Sequence, residues 1–248
     1  MRVSVVIPVY NAGSFLPRTL DSIIHQSYPI DELIIVNDNS TDNTCQIIKD
    51  YIKLIDNLNF NFQLINNDTN LGPGISRNKG IELAKNSIIA FCDADDIWDR
   101  NKILNQIKFI HKFPLIGTNY TVYVENVEFK KVNLSGEFSY SDLLRNNYLA
   151  TSSVMINTNV LAKSDLKFQN IVHEDYLLWL QLLKKYNIKA YVLDQYLMIY
   201  NRNAYSFSSG LCKKIRATYN VYYLITESVI SSVLFTLNKI YRSLSRYL

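Results

Sequence analysis

Apolar and polar positions in the first hundred residues switch between two periods. Val3-Ser4-Val5-Val6-Ile7-Pro8-Val9 is β-branched and nearly all apolar, the pattern of a parallel strand buried on both faces. Asn11-Ala12-Gly13 breaks it. Leu16, Leu20, Ile23 and Ile24 then recur at helical spacing, predicting a helix to about Gln26. Leu33-Ile34-Ile35-Val36 predicts a second strand, stopped by the turn-forming run Asn37-Asp38-Asn39-Ser40-Thr41-Asp42. A helix follows through about Leu54. Phe60, Phe62 and Leu64 alternate as a third strand, and Gly72-Pro73-Gly74 opens a third helix carrying Arg77 and Asn78. Ile88–Cys92 is the fourth strand. Strands alternating with helices in this way predict an α/β fold: a mostly parallel, Rossmann-like sheet with helices on both faces.

Past residue 100 the pattern changes. Ile103, Ile107 and Ile110 predict a helix, Leu115–Val124 a strand, and 125–138 a hairpin or loop. Ser141–Leu144 reads as a short helix and Thr151–Ile156 as a strand. Leu177, Leu178, Leu180, Leu182 and Leu183 predict an amphipathic helix after His173-Glu174-Asp175. Lys189–Leu193 and Tyr196–Tyr200 read as two strands, and the tail as helical. The expected division is 1–100 and 101–205 as two halves of one domain, and 206–248 as a basic amphipathic tail.

Composition narrows the class. With 48% apolar residues, 7 Gly and 5 Pro, the chain can build a large core and has little of the composition of a disordered segment. Three cysteines without paired spacing, and a strand pattern straight after Met1-Arg2, predict a cytoplasmic protein rather than a disulfide framework. The formal net charge is +4, unevenly spread. Residues 211–248 hold Lys213, Lys214, Arg216, Lys239, Arg242 and Arg246 against Glu227 alone. Such a tail faces something anionic, nucleic acid or anionic lipid. No nucleic-acid-binding motif accompanies it.

The candidate chemistry gathers where strands end. The run Ile88–Cys92 stops at Asp93-Ala94-Asp95-Asp96, with Trp98 and Asp99 just beyond. Carboxylates so crowded tolerate one another best around a hard cation, and Mg2+ is commonly held by one or two carboxylates plus substrate phosphates. The plainer alternative is a solvated acidic turn. In open parallel sheets, however, ligands lie beyond the carboxyl ends of the strands. Pro8-Val9-Tyr10-Asn11 and Asn37-Asp38-Asn39-Ser40 belong to that same edge. Three polar clusters on one edge favour a ligand site.

Val3–Asn11, Asp31–Thr44, Asn70–Ile81, Phe91–Trp98 and His173–Leu183, in this order and spacing, resemble the family 2 glycosyltransferases of GT-A fold. The nearest kind is the bacterial enzymes of O-antigen or capsule synthesis. The resemblance covers about residues 1–205 and implies an inverting, metal-dependent transfer of a sugar from a nucleotide-sugar, UDP-linked, to a saccharide hydroxyl. It implies Asp95 as ligand of Mn2+ or Mg2+, Asp93 near the ribose and metal, and Asp38 as the uracil-binding carboxylate. Asn37 stands where the family often has a first Asp. Pro8 and Tyr10 would flank the base and Arg77 would position the nucleotide. Asp175 of the pair Glu174-Asp175 would be the catalytic base. Asp96, Glu174, Trp98 and Arg202 are candidates on the acceptor side or behind the site, Trp98 as a sugar platform. Arg202 would belong, with Ser206, Ser208 and Ser209, to a loop closing on the diphosphate.

Two rivals remain. A sugar-nucleotide pyrophosphorylase normally opens with a Gly-rich phosphate loop and a basic residue, and Pro8-Val9-Tyr10-Asn11 has neither. A non-catalytic nucleotide-sugar-binding scaffold would bind donor without turnover. In the tail, Val229, Ile230, Val233, Leu234, Leu237, Ile240, Tyr241 and Leu244 trace one helical face. That face either packs on the catalytic domain or lies on an anionic membrane surface, the inner face of the plasma membrane. The resemblance implies a lipid-diphosphate-linked acceptor there.

Overall fold

The computed structural model describes residues 1–55, 60–202 and 211–244. Four strands, β1 (Val3–Val9), β2 (Glu32–Asn37), β3 (Asn61–Asn66) and β4 (Ile88–Phe91), run parallel in the order β3-β2-β1-β4. Helices α1 (Leu16–Ile24), α2 (Thr44–Ile55) and α3 (Pro73–Leu83) connect them. The side-chain period of two divides β1 between two cores. Val5, Ile7 and Val9 face Leu16, Leu20 and Ile23 of α1 on one side of the sheet. On the other side, Val6 joins Ile81 and Phe91. The predicted burial on both faces is what the strand shows. At Gly80 the helix α3 lies so close that a Cβ would come within 2.4 Å of Val6 Cγ1. A glycine there lets α3 sit down on β1, which carries Arg77 beneath the carboxyl edge of the sheet.

The second half continues the same sheet with antiparallel pairings, except that its two long strands, over 115–124 and 190–202, pair parallel. It comprises β5 (Ile97–Trp98), α4 (Lys102–Ile107), β6 (Leu115–Val124), β7 (Val127–Val132), β8 (Gly136–Phe138), α5 (Tyr140–Arg145), β9 (Met155–Asn157), α6 (Glu174–Tyr186) and β10 (Ala190–Arg202). The order runs on from β4 through β9, β6 and β10 to β5, with β7 on β6 and β8 on β10. Three expectations are corrected. Thr151–Ser153 is a 3-10 turn and only Met155–Asn157 is strand, because Ser153 turns its hydroxyl back onto the Ala150 carbonyl at 2.7 Å. The two strands expected over 189–200 are one, β10, with register shifts around Tyr196. The helix carrying Ile103 ends at Ile107, and Ile110 is buried in the turn that follows. Ile97-Trp98 adds a short strand to β10.

Two helices follow, α7 (Leu211–Thr226) and α8 (Val229–Leu244). They form an antiparallel hairpin, with Tyr222 against Phe235 (ring centroids 5.4 Å) and Thr226 against Ser232 (3.2 Å). The hairpin lies on α5 and α6. Of the two dispositions left open for the apolar face of α8, packing on the domain is not what is found. Its polar positions face the domain: Ser232 and Thr236 are buried, their hydroxyls satisfied by the Ser228 and Ser232 carbonyls one turn back. Hydroxyls bonded within their own helix carry no desolvation cost into the interface, so small polar residues can face inward. The apolar stripe faces out.

Candidate functional site

A cavity of about 620 Å³ opens beyond the carboxyl ends of β1 and β4, where the parallel topology predicts a ligand. On its floor Arg77, only 3% exposed, donates from Nη2 to Asp93 Oδ1 (2.5 Å) and from Nη1 to Glu174 Oε1 (2.8 Å). One guanidinium thus joins the acidic turn after β4 to the first turn of α6. Burial lowers its pKa, but the charges of Asp93, Glu174 and Asp175 outweigh this and raise it overall, so it stays charged. The Phe168 ring lies 5.3 Å from its guanidinium carbon.

Asp175 sits beside this bridge but outside it. Its Oδ2 accepts from the Thr151 hydroxyl (3.1 Å) and its Oδ1 from the Tyr176 backbone N–H (2.7 Å). Both donors are neutral, unlike the partner of Asp93 and Glu174. Burial raises its pKa, against the lowering effects of those hydrogen bonds and of Arg77. Across the cavity burial, and then the charge of Asp93, push Asp95 up to about 6. A carboxylate with a raised pKa regains charge when a cation arrives. Among the described residues no three His, Cys, Asp or Glu side chains form a metal cage. The set fits the usual Mg2+ arrangement, in which one or two carboxylates hold the ion and substrate phosphates complete it. Asp95 and Asp93 are the residues that would hold it.

Asp96 is fully buried beneath the same turn. Its Oδ1 accepts from the Asn201 N–H (3.0 Å), and its Oδ2 has no hydrogen-bond partner among the described residues. Burial first, then the charges of Asp95 and Asp93, raise its pKa well above the ordinary carboxylate range. Asn201 also donates its amide to the Asp95 carbonyl. Asp96 therefore ties the acidic turn to β10 and does not line the cavity.

At the opposite end Pro8 and the half-exposed Tyr10 form the rim. The loops after β1 and β2 are laced together: Asn11 Oδ1 accepts from the Thr41 N–H (2.8 Å), and the Asn11 N–H donates to Ser40 Oγ (3.0 Å). Asp38 is 2% exposed and lies outside the cavity lining. Its Oδ1 accepts from Asn67 Nδ2 (2.6 Å) and the Leu71 N–H (2.9 Å), and its Oδ2 from the Gly72 N–H (2.7 Å). It holds the loop that feeds α3. Contact with a base would use the lone pair that Gly72 leaves on Oδ2. Asn37 donates to Asn66 Oδ1 (2.9 Å), a bond that a carboxylate at this position would be unable to make.

Of the residues singled out in the sequence, Pro8, Tyr10, Arg77, Asp93, Asp95, Glu174 and Asp175 meet in this one cavity. Trp98 does not. It is 3% exposed, its Nε1–H donates to the Ser152 carbonyl (2.8 Å), and Lys102 Nζ covers its ring at 4.0 Å. An indole so enclosed is a core residue, and the sugar-platform expectation is withdrawn. Arg202 lines a smaller neighbouring cavity with Arg18 and Asp95. Ser206, Ser208 and Ser209 lie outside the described residues. Sequence reasoning missed Thr151, Ser152, Tyr120 and Tyr200, all in the cavity wall. Ser152 accepts from the Asp93 N–H (2.9 Å). None of the four stands in a motif, and they come from three elements, the 151–153 turn, β6 and β10.

The sequence profile described as glycosyl transferase family 2 matches residues 4–166. The putative teichuronic acid biosynthesis glycosyltransferase TuaG of Bacillus subtilis is 31% identical over 225 residues, 89% of this chain and 86% of that one. WfgD of Escherichia coli, named as a UDP-Glc:alpha-D-GlcNAc-diphosphoundecaprenol beta-1,3-glucosyltransferase, is 28% identical over 240 residues, 96% of this chain and 92% of that one. The crystal structure of Staphylococcus aureus TarS 1-349 in complex with UDP-GlcNAc superposes with a TM-score of 0.76 at 20% identity, covering 99% of this chain and 73% of that one. With the profile spanning most of the chain, and the GT-A architecture and its clefted sheet edge in place, the chain belongs to glycosyl transferase family 2 and is a glycosyltransferase.

Proposed function

We propose that this enzyme moves a sugar from a UDP-sugar to a saccharide hydroxyl by a single, inverting displacement, in surface polysaccharide synthesis. The acceptor would be carried on a lipid diphosphate, as the substrate named for WfgD is, and met at the cytoplasmic face of the membrane. The observation that carries this reading is the Arg77 bridge. It neutralises Asp93 and Glu174 and leaves Asp175 as a carboxylate held only by neutral donors, facing Asp95 across one cavity.

Each group then has one job. Tyr10 and Pro8 at the rim offer a face and an edge to a base, and Asp38 holds the loop on that side. Residues 1–100 would serve the donor, and residues 101–205 the acceptor. Mn2+ or Mg2+ at Asp95 and Asp93 would supply Lewis-acid stabilisation of the leaving diphosphate. Asp175 takes the proton from the acceptor hydroxyl as that oxygen attacks. Thr151 and the Tyr176 N–H hold its two oxygens in the cavity wall. Tyr120 lines this side, its pKa pushed up to about 12 by burial and then by the charges of Asp96 and Asp175. It is a neutral hydrogen-bonding group at pH 7. With no covalent sugar–enzyme step, the displacement inverts the anomeric centre.

A panel of nucleotide-sugars, assayed for UDP release with and without EDTA, tests the reading. Turnover is expected with a UDP-sugar and saccharide acceptor, to be abolished by EDTA and restored by Mn2+ or Mg2+. Asp95→Asn is expected to weaken donor binding by at least about tenfold as well as lower kcat, since a carboxylate ligand to the cation is lost. Donor binding without turnover under every acceptor tried would instead mark a scaffold. Undiminished activity in EDTA would remove the metal from the account.

A further inference from the structure

The hairpin at the end of the described chain displays its two faces the wrong way round for a helix that merely packs. In α8, Ser232, Thr236 and Lys239 point toward the domain, with Lys239 Nζ 4.3 Å from the Tyr176 ring centroid. The opposite face carries Val229, Ile230, Val233, Leu234, Leu237 and Tyr241, each 42–74% exposed. At 100° per residue these six fall within one stripe running the length of the helix. Amphipathic helices on soluble domains turn that stripe inward, and an unbroken exposed apolar patch marks a contact surface.

Charge identifies the contact. Lys213, Lys214 and Arg216 are exposed in the first turns of α7, and the antiparallel hairpin brings them to the end where α8 finishes. That end adjoins the cavity. Lys239, near the end of α8, lies over the ring of Tyr176, whose neighbour Asp175 lines the cavity. The sole acidic residue of this region, Glu227, lies in the bend at the far end of the hairpin. A second copy meeting this face about a twofold axis would set two basic tails against each other. An anionic bilayer complements both features, taking the apolar stripe into its headgroup boundary and each nearby Lys or Arg at about 1 kcal/mol. Among the described residues no helix is long and apolar enough to cross a membrane, so the contact is one of lying on the surface.

We infer that the outward apolar stripe of α8, with the basic start of α7, is a docking surface for an anionic lipid bilayer. It holds the mouth of the cavity at the height of the headgroups. A sugar acceptor anchored through a lipid diphosphate then reaches Asp175 without leaving the membrane. That last consequence rests on the transfer reading above, whereas the membrane contact does not.

The test uses the full chain and vesicles containing neither donor nor acceptor, so its outcome is independent of catalysis. Vesicles of equimolar phosphatidylglycerol and phosphatidylcholine are sedimented with the protein and compared with phosphatidylcholine alone. The wild type is expected to partition onto the anionic vesicles and to be released at least partly at about 1 M salt, where the Debye length is about 3 Å. The triple variant Ile230→Gln, Leu234→Gln, Leu237→Gln is expected to lose at least about tenfold in partitioning. It should keep the wild-type thermal transition and turnover of a water-soluble acceptor, because all three side chains are exposed. A second variant, Lys213→Glu, Lys214→Glu, should lose the preference for anionic over neutral vesicles. Equal partitioning of the wild type and the triple variant overturns the inference. So does a wild type that ignores both kinds of vesicle and sediments as a dimer that the triple variant dissolves.

Discussion

Asp175→Asn is expected to lower kcat by about 10²–10⁴-fold, the range for losing a general base. The KM for donor should stay within about threefold, because the change removes an interaction made in the transition state and not in donor binding. An amide at 175 can still accept from the Tyr176 N–H, and the Thr151 hydroxyl, which donates to Oδ2 in the wild type, can rotate to accept instead. The fold should therefore tolerate the change. A pH profile separates this from a general loss of integrity. The base must be ionised to act, and burial raises the Asp175 pKa. Wild-type kcat should thus fall on the acid side at a pH above the ordinary Asp range. That limb should vanish in the Asn variant. A variant with wild-type kcat would move the base elsewhere.

Arg77→Met is expected to be the most damaging single change to stability. The guanidinium is buried and is the ion-pair partner of both Asp93 and Glu174. Its removal leaves two carboxylates in a partly enclosed site with no compensating charge, a cost of about 3–5 kcal/mol. For a chain of this size that corresponds to a loss in Tm on the order of 10 °C. Lysine should not rescue it, since one ammonium point charge has no fork to bridge two carboxylates. Burial already raises the Glu174 pKa, Arg77 being the main opposing influence. Without Arg77 it rises further, so the variant gains protons on folding relative to wild type. The stability deficit should then shrink as pH falls from 7.5 to 5 and the unpaired charge is neutralised. Thermal denaturation at the two pH values measures both. A deficit under about 1 kcal/mol at pH 7.5 would mean that the bridge does not organise the site.

Much of the donor side was legible because strand and helix periods are strong there. β1, β2 and β4 are short runs of buried Val and Ile, each ending abruptly in polar residues. Their carboxyl ends share one edge by the logic of parallel sheets. That placed Pro8, Tyr10, Asp93 and Asp95 together before any contact was known. The link to Asp175, some 80 residues further on, was not readable from period or spacing and came from the family resemblance. The family resemblance gives Arg77 to the nucleotide, whereas its side-chain bonds go to Asp93 and Glu174, and nothing in Ser76-Arg77-Asn78 announces a bridge to α6. Trp98 shows the converse. An aromatic beside a metal motif reads the same whether it faces solvent or the core, and only the Ser152 carbonyl and Lys102 decide. In β10, exposed Asp194 and Gln195 interrupt the apolar pattern, so a single strand with register shifts looked like two. The tail's apolar spacing gave a face but not its direction, because amphipathicity fixes which residues sit together and not what they meet.

The central claim is a single displacement driven by Asp175 on a donor held at the opposite wall of the cavity. Proton NMR of the new glycosidic linkage tests it most directly, using whichever UDP-α-sugar the donor panel shows to be turned over. One displacement predicts a β-linked product, with β the anomer at the earliest time points. An α-linked product from the same donor would require an even number of displacements or front-side attack, and would contradict the account.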